Sequence, residues 1–243
     1  MRRLILNRNY LHCGSQICEI EEEGKLIDNT IFKQMVGSLM YMTTTRHDLM
    51  YCVCLISRFM LNLEEVHMLA AKRMLRYIKS TIDLDIFYWK GCKDELVVYM
   101  NIDYAGDIDE RKSTSGNVFM SSGRVVTWAS KKQSVVALST TEAEYVVAAS
   151  RGFQCIWMQH ILKQIKGIQF DCVTMICDIS STIMLSKNPV FHGRSKHIEK
   201  RFHFLRNLAM DEVVDMEFCG TNDKLADVMT KSLKLDQFEK IRK

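Results

Sequence analysis

The sequence predicts an all-helical segment followed by an α/β domain with a mixed sheet. Apolar residues recur at helical spacing up to about residue 80, a pattern typical of amphipathic helices. Beyond the turn-like GCKDE at residues 91–95, strand-like runs alternate with helical patterns, which is the order expected of an α/β domain. We therefore divide the chain into a weakly patterned lead-in at residues 1–30, a helical segment at 31–90 and the α/β domain at 91–243.

Two amphipathic patterns define the helical segment. Their apolar positions are three and four residues apart, as on one face of a helix. They are Phe32, Met35, Val36, Leu39 and Met40 in the first pattern, and Val66, Leu69, Ala70, Met74, Tyr77 and Ile78 in the second. Between them, Asp48 precedes the apolar run 49–60, and we expect it to cap a helix there.

The remaining elements follow from short strand-like runs and longer helical patterns. We predict strands at 84–89, 96–103, 172–178 and 213–219, and a hairpin of 116–121 with 124–129 around Ser122-Gly123. Helices are predicted at 140–166, 180–187, 195–210 and 222–231. Thr140 or Thr141 would cap the first of these, whose apolar stripe runs through Val147, Ala148, Phe153, Ile156, Trp157, Ile161 and Leu162.

Composition and charge exclude several classes of protein. With 47% hydrophobic and 26% charged residues, the composition is ordinary for a globular chain, and no apolar run approaches the roughly 20 residues needed to span a bilayer. The net charge of +4 is too small to argue for nucleic-acid binding by itself. Nine cysteines are scattered without a C-x-x-C pair, which favours reduced structural thiols. Since the start has no signal-peptide pattern, we expect an intracellular, cytoplasmic protein without membrane contact.

Three acidic segments suggest the chemistry. Glu144 lies in LSTTEAEY, Asp178 closes MICD, and Asp227 lies in KLADVMTK. Carboxylates spread over strand ends and helix starts suggest a divalent-metal site that cuts phosphodiesters. Simpler interpretations exist: Glu144 could favour a helix dipole, Asp178 could cap the next helix, and Asp227 could face solvent. Asn101, near the end of VVYMNID, stands where such a set would need a fourth carboxylate.

Seven strings resemble the C-terminal part of the Pol polyprotein of copia-type LTR retrotransposons, in family order and spacing. They are GSLMYMTTTRHDLMY, SRFM, AAKRMLRYIKST, RKSTSGNVFM, WASKKQSVVALSTTEAEYVVAAS, KNPVFHGRSKHIEKRFHFLR and KLADVMTK. The resemblance extends from about Ile31 to the C-terminus. Seven strings in order are far more specific than any one of them.

The resemblance implies two functional pieces. Residues up to about 90 are similar to the tail of the reverse transcriptase, and since no Y-x-D-D string occurs, we expect no polymerase activity. The rest is similar to the ribonuclease H domain, which implies a ribonuclease H-like mixed five-stranded sheet with flanking helices. In the family this domain cuts RNA in RNA–DNA hybrids with two Mg²⁺ ions held by four acidic residues. The implied partners are an RNA–DNA hybrid or other nucleic acid, and the remainder of the reverse transcriptase.

The resemblance also assigns roles to individual residues. Glu144, Asp178 and Asp227 correspond to three of the family's catalytic metal ligands. The first aspartate of the family's YSDADWAGD-like string falls on Asn101 in YMNIDYAGD, and Asp103 matches its second acid. Asparagine offers a neutral oxygen, whereas Mg²⁺ prefers anionic oxygens in a strict octahedral shell. Asp103 is a possible weak substitute, but it lies about 6–7 Å further along the strand, so we expect impaired cleavage and impaired Mg²⁺ binding.

Nucleic-acid binding could outlast cutting, because recognition of a hybrid duplex rests on backbone and 2′-hydroxyl contacts. The candidate contacts are Arg111, Lys112, Ser113, Thr114, Lys131, Lys132, Lys196, Lys200 and Arg201, and each could equally belong to a solvated rim. Three alternatives stay open. They are a weak residual nuclease, a noncatalytic nucleic-acid-binding or scaffold protein, and an unrelated host enzyme in which the motif order is a coincidence.

Overall fold

The computed structural model describes residues 29–84, 86, 88, 95–107, 109–167, 172–178, 183, 199–220 and 224–242. The chain forms two units: a helical unit of Met1–Asp85 with Lys231–Lys243, and a sheet unit of Ile86–Thr230. The predicted lead-in at 1–30 lies almost wholly outside the described residues, as do the predicted helix at 180–187 and half of the predicted strand at 84–89.

Eleven helices and strands lie within the described residues, with three 3₁₀ turns at His47–Leu49, Ser57–Phe59 and Leu225–Met229. In chain order they are α1 (Asn29–Met42), α2 (Met50–Ile56), α3 (Glu65–Ser80), β1 (Leu96–Asp103), β2 (Thr114–Ser121), β3 (Arg124–Lys132), α4 (Thr140–Lys166), β4 (Val173–Cys177), α5 (Glu199–Met210), β5 (Val214–Phe218) and α6 (Leu235–Arg242).

The helical unit confirms both amphipathic helices. Phe32, Val36 and Leu39 are buried on α1 at spacings of four and three, and Met74 and Tyr77 are buried on α3. Burial of one stripe per helix is what stabilises such short helices, because isolated helices of this length are marginal in water.

The predicted cap at Asp48 is wrong. The residue that precedes α2 is Leu49, which makes no side-chain capping bond. The Asp48 carboxylate instead accepts hydrogen bonds from the Arg46 guanidinium at 2.7 and 3.0 Å and from the Tyr77 hydroxyl at 2.6 Å. A charged, tertiary partner therefore outcompetes the local backbone for this carboxylate.

The sheet has the order β3-β2-β1-β4-β5. Strands β1, β2 and β3 are paired antiparallel, whereas β1–β4 and β4–β5 are parallel. Positive φ angles at Ser122 (54°) and Gly123 (71°) form the two-residue turn of the β2–β3 hairpin, as in a type I′ turn. The predicted mixed five-stranded sheet with flanking helices is confirmed, and β1 is its central strand.

The core of the sheet unit lies on one face of β1. Leu96, Val98 and Met100 join a buried cluster with Met175 of β4 and Tyr145 of α4. Since side chains alternate along a strand, the odd-numbered residues of β1, Asn101 among them, point to the opposite face.

Helix α4 has the predicted bounds but a different cap and a partly exposed stripe. The Ser139 hydroxyl, rather than Thr140 or Thr141, accepts the hydrogen bond from the Glu142 N–H at 3.1 Å. Phe153 and Trp157 are 61% and 58% exposed, and the Phe153 ring stacks on Phe204 of α5 with centroids 3.8 Å apart.

The C-terminal residues depart from the prediction. Instead of a helix at 222–231, the described part of that segment forms only the 3₁₀ turn Leu225–Met229. Four successive residues, 226–229, are buried, so the turn is enclosed on all sides rather than along one helical stripe. Residues 231–243 belong to the helical unit, not to the sheet unit, and there the Phe238 ring of α6 meets Tyr77 edge-on at 6.3 Å.

Candidate functional site

Strand β1 carries Asn101 to a buried position against the Leu225–Met229 turn. Asn101 is 3% exposed, and its side-chain amide donates to Asp227 Oδ1 at 2.6 Å and to Thr230 Oγ1 at 2.7 Å. The two N–H bonds of one amide group are thereby both used. The structure thus brings together the first and the last of the four predicted site positions.

Gly116 makes this close approach possible. It pairs with Asn101 across β1 and β2. A Cβ atom on Gly116 would lie 2.6 Å from Met229 Cβ, 2.6 Å from Thr230 Cγ2 and 3.1 Å from the Ala226 carbonyl oxygen. The missing side chain therefore lets the turn pack directly on β2 and places Asp227 against Asn101.

Asp178 follows β4 at the same edge of the sheet. The parallel register pairs Tyr99 of β1 with Ile176 of β4, so two residues further on, Asn101 and Asp178 are placed on one face at adjacent strand ends. The carboxylate of Asp178 forms an ion pair and hydrogen bond with the Lys224 ammonium group. The two side chains are 22% and 14% exposed, respectively.

Glu144 is fully buried in the first turns of α4. Two side chains fix the start of this helix. Glu142 Oε2 accepts from the Leu138 N–H at 2.8 Å, which together with the Ser139 cap resembles a capping box. The Gln133 side-chain amide donates to the Ala143 carbonyl at 3.0 Å and so ties the helix start to the end of β3. Glu142 therefore has a structural role, while Glu144 is held at a fixed buried position.

Asp103 is directed toward the turn that follows β1. Its Oδ2 occupies the space beside Gly106, where a Cβ atom would come within 1.9 Å of it. Together with its distance along the strand, this contact argues against Asp103 as a replacement for the Asn101 position.

The chemistry of the four positions does not fit a two-metal site. Mg²⁺ prefers anionic oxygen ligands, but Asn101 presents N–H donors, and the Asp178 carboxylate already has a cationic partner. Within the described residues, no group of three or more His, Cys, Asp or Glu side chains could hold a metal ion. Metal binding by Glu144, Asp178 and Asp227 therefore stays a prediction.

A cavity of about 380 Å³ lies between β3, α4 and α5. Its lining includes Lys131, Arg151, Phe153 and Arg201, of which Lys131 and Arg201 are exposed. Burial lowers the pKa of the Arg151 guanidinium, which donates to Asn117 Oδ1 at 2.9 Å. The cavity combines cationic groups with an exposed aromatic ring, which suits the backbone and bases of a nucleic acid.

Two of the lysines that are predicted to contact nucleic acid form ion pairs with acidic side chains. Lys132 forms ion pairs with Asp107 at 3.0 Å and Glu110 at 3.1 Å, and Lys112 pairs with Glu110 at 2.5 Å. Partial burial lowers the pKa of Lys132, but the hydrogen bonds to Asp107 and Glu110 outweigh this effect and raise it. Neighbouring Arg111 is exposed, with a positive φ of 53°.

Ser113 and Thr114 are 1% and 3% exposed, which corrects the expectation that they contact nucleic acid. The Ser113 hydroxyl accepts from the Ala105 N–H at 3.2 Å, and Thr114 pairs within the sheet. Of the other candidates, Lys196 lies outside the described residues, and Lys200 belongs to α5 with a side chain that is not among those described.

Four site residues had no predicted role: Lys224, Thr230, Gly116 and Arg151. Lys224 and Thr230 flank Asp227 within the region of KLADVMTK, and Gly116 lies in RKSTSGNVFM, so each belongs to a string that marked the family. No local pattern could indicate that Lys224 meets Asp178 or that Thr230 meets Asn101, because those contacts join distant parts of the chain. Among the described residues, no helix is long and apolar enough to cross a membrane.

Sequence comparison gives relatives among plant transposons. The chain is 39% identical over 233 residues, 95% of its length, to the retrovirus-related Pol polyprotein from transposon TNT 1-94 of Nicotiana tabacum, and covers 17% of it. It is 39% identical over 216 residues to the retrovirus-related Pol polyprotein from transposon RE2 of Arabidopsis thaliana, matching 88% of this chain and 15% of the relative. The chain thus spans less than a fifth of these polyproteins.

A shorter relative is covered almost completely. The chain is 38% identical over 140 residues, 57% of its length, to secreted RxLR effector protein 161 of Plasmopara viticola, and covers 99% of that protein. No family model matches the chain.

Solved structures give weaker likenesses. The foamy viral protease-reverse transcriptase in complex with dsDNA is 13% identical, with a TM-score of 0.46, over 86% of this chain and 41% of that one. The N-terminal RNase H domain of a Mycobacterium tuberculosis protein is 11% identical, with a TM-score of 0.42, over 61% of this chain and 96% of that one.

Proposed function

Because the chain belongs to the retrovirus-related Pol polyproteins of copia-type transposons, we propose that its parental activity is metal-dependent cleavage of RNA in RNA–DNA hybrids and that this cleavage is impaired here. The chain itself is a Pol fragment with a ribonuclease H-like fold. Cleavage, its Mg²⁺ dependence and its substrate belong to the proposal.

The hydrogen bond from Asn101 to Asp227 carries the proposal. In a two-metal site, carboxylates hold both ions so that one oxygen attacks while the other leaves. Asn101 contributes no negative charge, and its amide hydrogens point at Asp227 and Thr230. The reverse orientation would place the carbonyl oxygen of the amide against the Asp227 carboxylate, and even then it would offer a neutral oxygen where Mg²⁺ prefers an anionic one.

An assay on a labelled RNA–DNA hybrid tests this proposal. The wild-type chain and the Asn101→Asp variant are compared with Mg²⁺ or Mn²⁺, and Asn101→Ala serves as the matched control. We expect cleavage by Asn101→Asp to exceed that by the wild type by about 10²–10³-fold, the effect typical of one electrostatic group at a reacting centre. Cleavage by the wild type at the rate of Asn101→Asp would overturn the proposal, and so would inactivity of a folded Asn101→Asp variant.

Binding of nucleic acid without cleavage is the second candidate function. It is favoured by the cavity that Lys131, Arg151, Phe153 and Arg201 line, since hybrid recognition needs no metal ion. Fluorescence anisotropy with the same hybrid measures it. We expect the slope of log affinity against log salt to fall by about one when Lys131→Gln or Arg201→Gln removes a phosphate contact. Lys72→Gln, an exposed lysine of α3, should leave the slope unchanged.

We also propose that residues 31–90 are the tail of a reverse transcriptase, whose partner would be the remainder of that enzyme. The 39% identity to a Pol polyprotein over 95% of the chain supports this, because a match of that extent must include the helical segment.

A further inference from the structure

The residues from Lys224 to Thr230 join three of the four predicted site positions. The carbonyl of Lys224 accepts from the Asp227 N–H at 3.2 Å, and the Asp227 carbonyl accepts from the Thr230 N–H at 3.0 Å. This 224–230 segment therefore holds an ammonium group, a carboxylate and a hydroxyl in one short stretch of backbone. The ammonium group meets Asp178 beyond β4, while the other two meet Asn101 on β1.

We propose that Lys224 and Asn101 replace the divalent cations of the family's site, so that the 224–230 segment closes on the sheet without a metal ion. This inference rests on the proposed function, because it takes the four positions to be those of the family's metal site. It adds that the 224–230 segment packs on the sheet in the absence of divalent ions, and it assigns Lys224 as the internal counter-ion of Asp178.

The charges support the replacement. An Asp at position 101 would put two carboxylates at the 2.6 Å separation that now joins Asn101 to Asp227. Two such groups cannot both be ionised when buried unless a cation or a proton lies between them. The neutral amide removes this repulsion and supplies two donors instead. At the neighbouring strand end, the positive charge of Lys224 offsets the negative charge of Asp178. In a metal site, a bound cation would have this role.

The contacts differ in how firmly they exclude a cation. Asn101 lies on a central strand and is 3% exposed, so its amide can move little. Lys224 is a point charge on a flexible stem, and its side chain is 14% exposed. The Asn101 amide therefore excludes a cation from its position beside Asp227 permanently, whereas the Lys224 ammonium group competes with cations for the Asp178 carboxylate.

Manganese binding to the full-length chain tests the inference by calorimetry and by thermal unfolding. The wild type should neither bind Mn²⁺ in the millimolar range nor shift its unfolding temperature by more than about 1 °C. The Asn101→Asp/Lys224→Gln variant should unfold at lower temperature without metal and gain about 5–10 °C at a Mn²⁺ concentration 100-fold above its Kd. Lys224→Gln alone should bind Mn²⁺ more tightly than Lys72→Gln, which removes the same charge from an exposed site in the helical unit.

Three results would overturn the inference. The first is stabilising Mn²⁺ binding by the wild type. The second is a folded double variant that does not respond to Mn²⁺. The third is equal Mn²⁺ affinity of Lys224→Gln and Lys72→Gln. This comparison decides the matter if the double variant does not fold with or without Mn²⁺. If the wild type binds metal but cuts no hybrid, this inference is wrong while the proposed loss of cleavage holds. Failure of the inference and failure of the proposed function are therefore distinguishable.

Discussion

Asp48 in the helical unit and Asp178 in the sheet unit each meet a cationic side chain, but the two pairs are built differently. Arg46 approaches Asp48 from two positions away with two hydrogen bonds, and Tyr77 adds a third. Lys224 approaches Asp178 from 46 residues away with one. An arginine fork has fixed geometry, whereas a lysine is a mobile point charge.

The difference separates a carboxylate that holds the fold together from one at a proposed metal-site position. Burial raises the pKa of the Asp48 carboxyl, but the hydrogen bonds from Arg46 and Tyr77 and the adjacent positive charge outweigh it, so the pKa lies below its ordinary value. Arg46 also donates to the carbonyl and the hydroxyl of Thr81. Every group in this network thus serves the fold. Asp178 has a partner that can leave, which agrees with the proposal that this position belongs to the family's metal site.

The largest expected effect is that of Asp48→Ala. It leaves the Arg46 guanidinium, whose side chain is 12% exposed, without its counter-charge. Breaking such a pair costs about 3–5 kcal/mol. Urea unfolding followed by circular dichroism measures it, with a signal to which α1, α2, α3 and α6 contribute alongside α4 and α5 of the sheet unit. All three tryptophans, at positions 89, 128 and 157, belong to the sheet unit, so their fluorescence midpoint is the internal control and should move less.

Asn101→Ala should lower the free energy of unfolding of the sheet unit by about 1.5–3 kcal/mol, the range for a hydrogen bond to a charged group. The variant leaves the 3% exposed Asp227 carboxylate without the amide donor. Tryptophan fluorescence during urea unfolding reports the change. A loss below about 0.5 kcal/mol would mean that the 224–230 segment does not depend on this amide.

Gly116→Ala tests the close approach of the turn to β2. The added methyl group must displace backbone and Cβ atoms, and such overpacking costs about 1–3 kcal/mol. Gly37→Ala is the matched control in the helical unit. Gly37 is exposed on α1, and nothing lies within 4 Å of an added Cβ, so this change should stabilise α1 by about 0.5–1 kcal/mol. The same sign for both variants would contradict the packing described for Gly116.

The smallest effect is a difference in acid sensitivity. Because the pKa of Asp48 is lowered in the folded state from 3.8, its carboxylate stabilises the fold above that pH, and this contribution disappears as the pH falls through the folded value. Asp48→Asn removes the titration. The stability difference between the wild type and Asp48→Asn should therefore shrink below about pH 4, and a constant difference from pH 7 to pH 3 would contradict the assignment.

Long, strongly patterned elements could be predicted from the sequence. The predicted bounds of β1 and α4 agree with the structure, because alternation on a strand and a capped amphipathic helix are local signals. The segment around Asp227 was predicted as a helix and is a 3₁₀ turn, since its burial comes from a sheet that local periodicity does not include.

Side-chain partners were harder to predict than elements. The acidic segments and the family resemblance together indicate the four site positions, and the structure adds the partners of Asn101, Asp178 and Asp227. Asp48 was expected to cap a helix, but its strongest acceptor contacts go to Arg46 and to Tyr77, 29 residues away. The sequence assigns no role to Lys224, because an ion pair between residues 46 positions apart produces no periodic pattern in the sequence. Which groups a side chain contacts depends on which parts of the chain the fold brings together, and a single sequence reveals this only once the fold is known.

The contacts of Asn101 also bear on the order of folding. Its amide donates to side chains of Asp227 and Thr230, which lie 126 and 129 residues later in the chain. Closing loops of that length is entropically costly and slow compared with forming hairpins. The hairpin of β2 and β3 can form early, whereas the 224–230 segment must dock near the end of folding. During synthesis, the Asn101 amide would therefore lack these two partners until the 224–230 segment has left the ribosome.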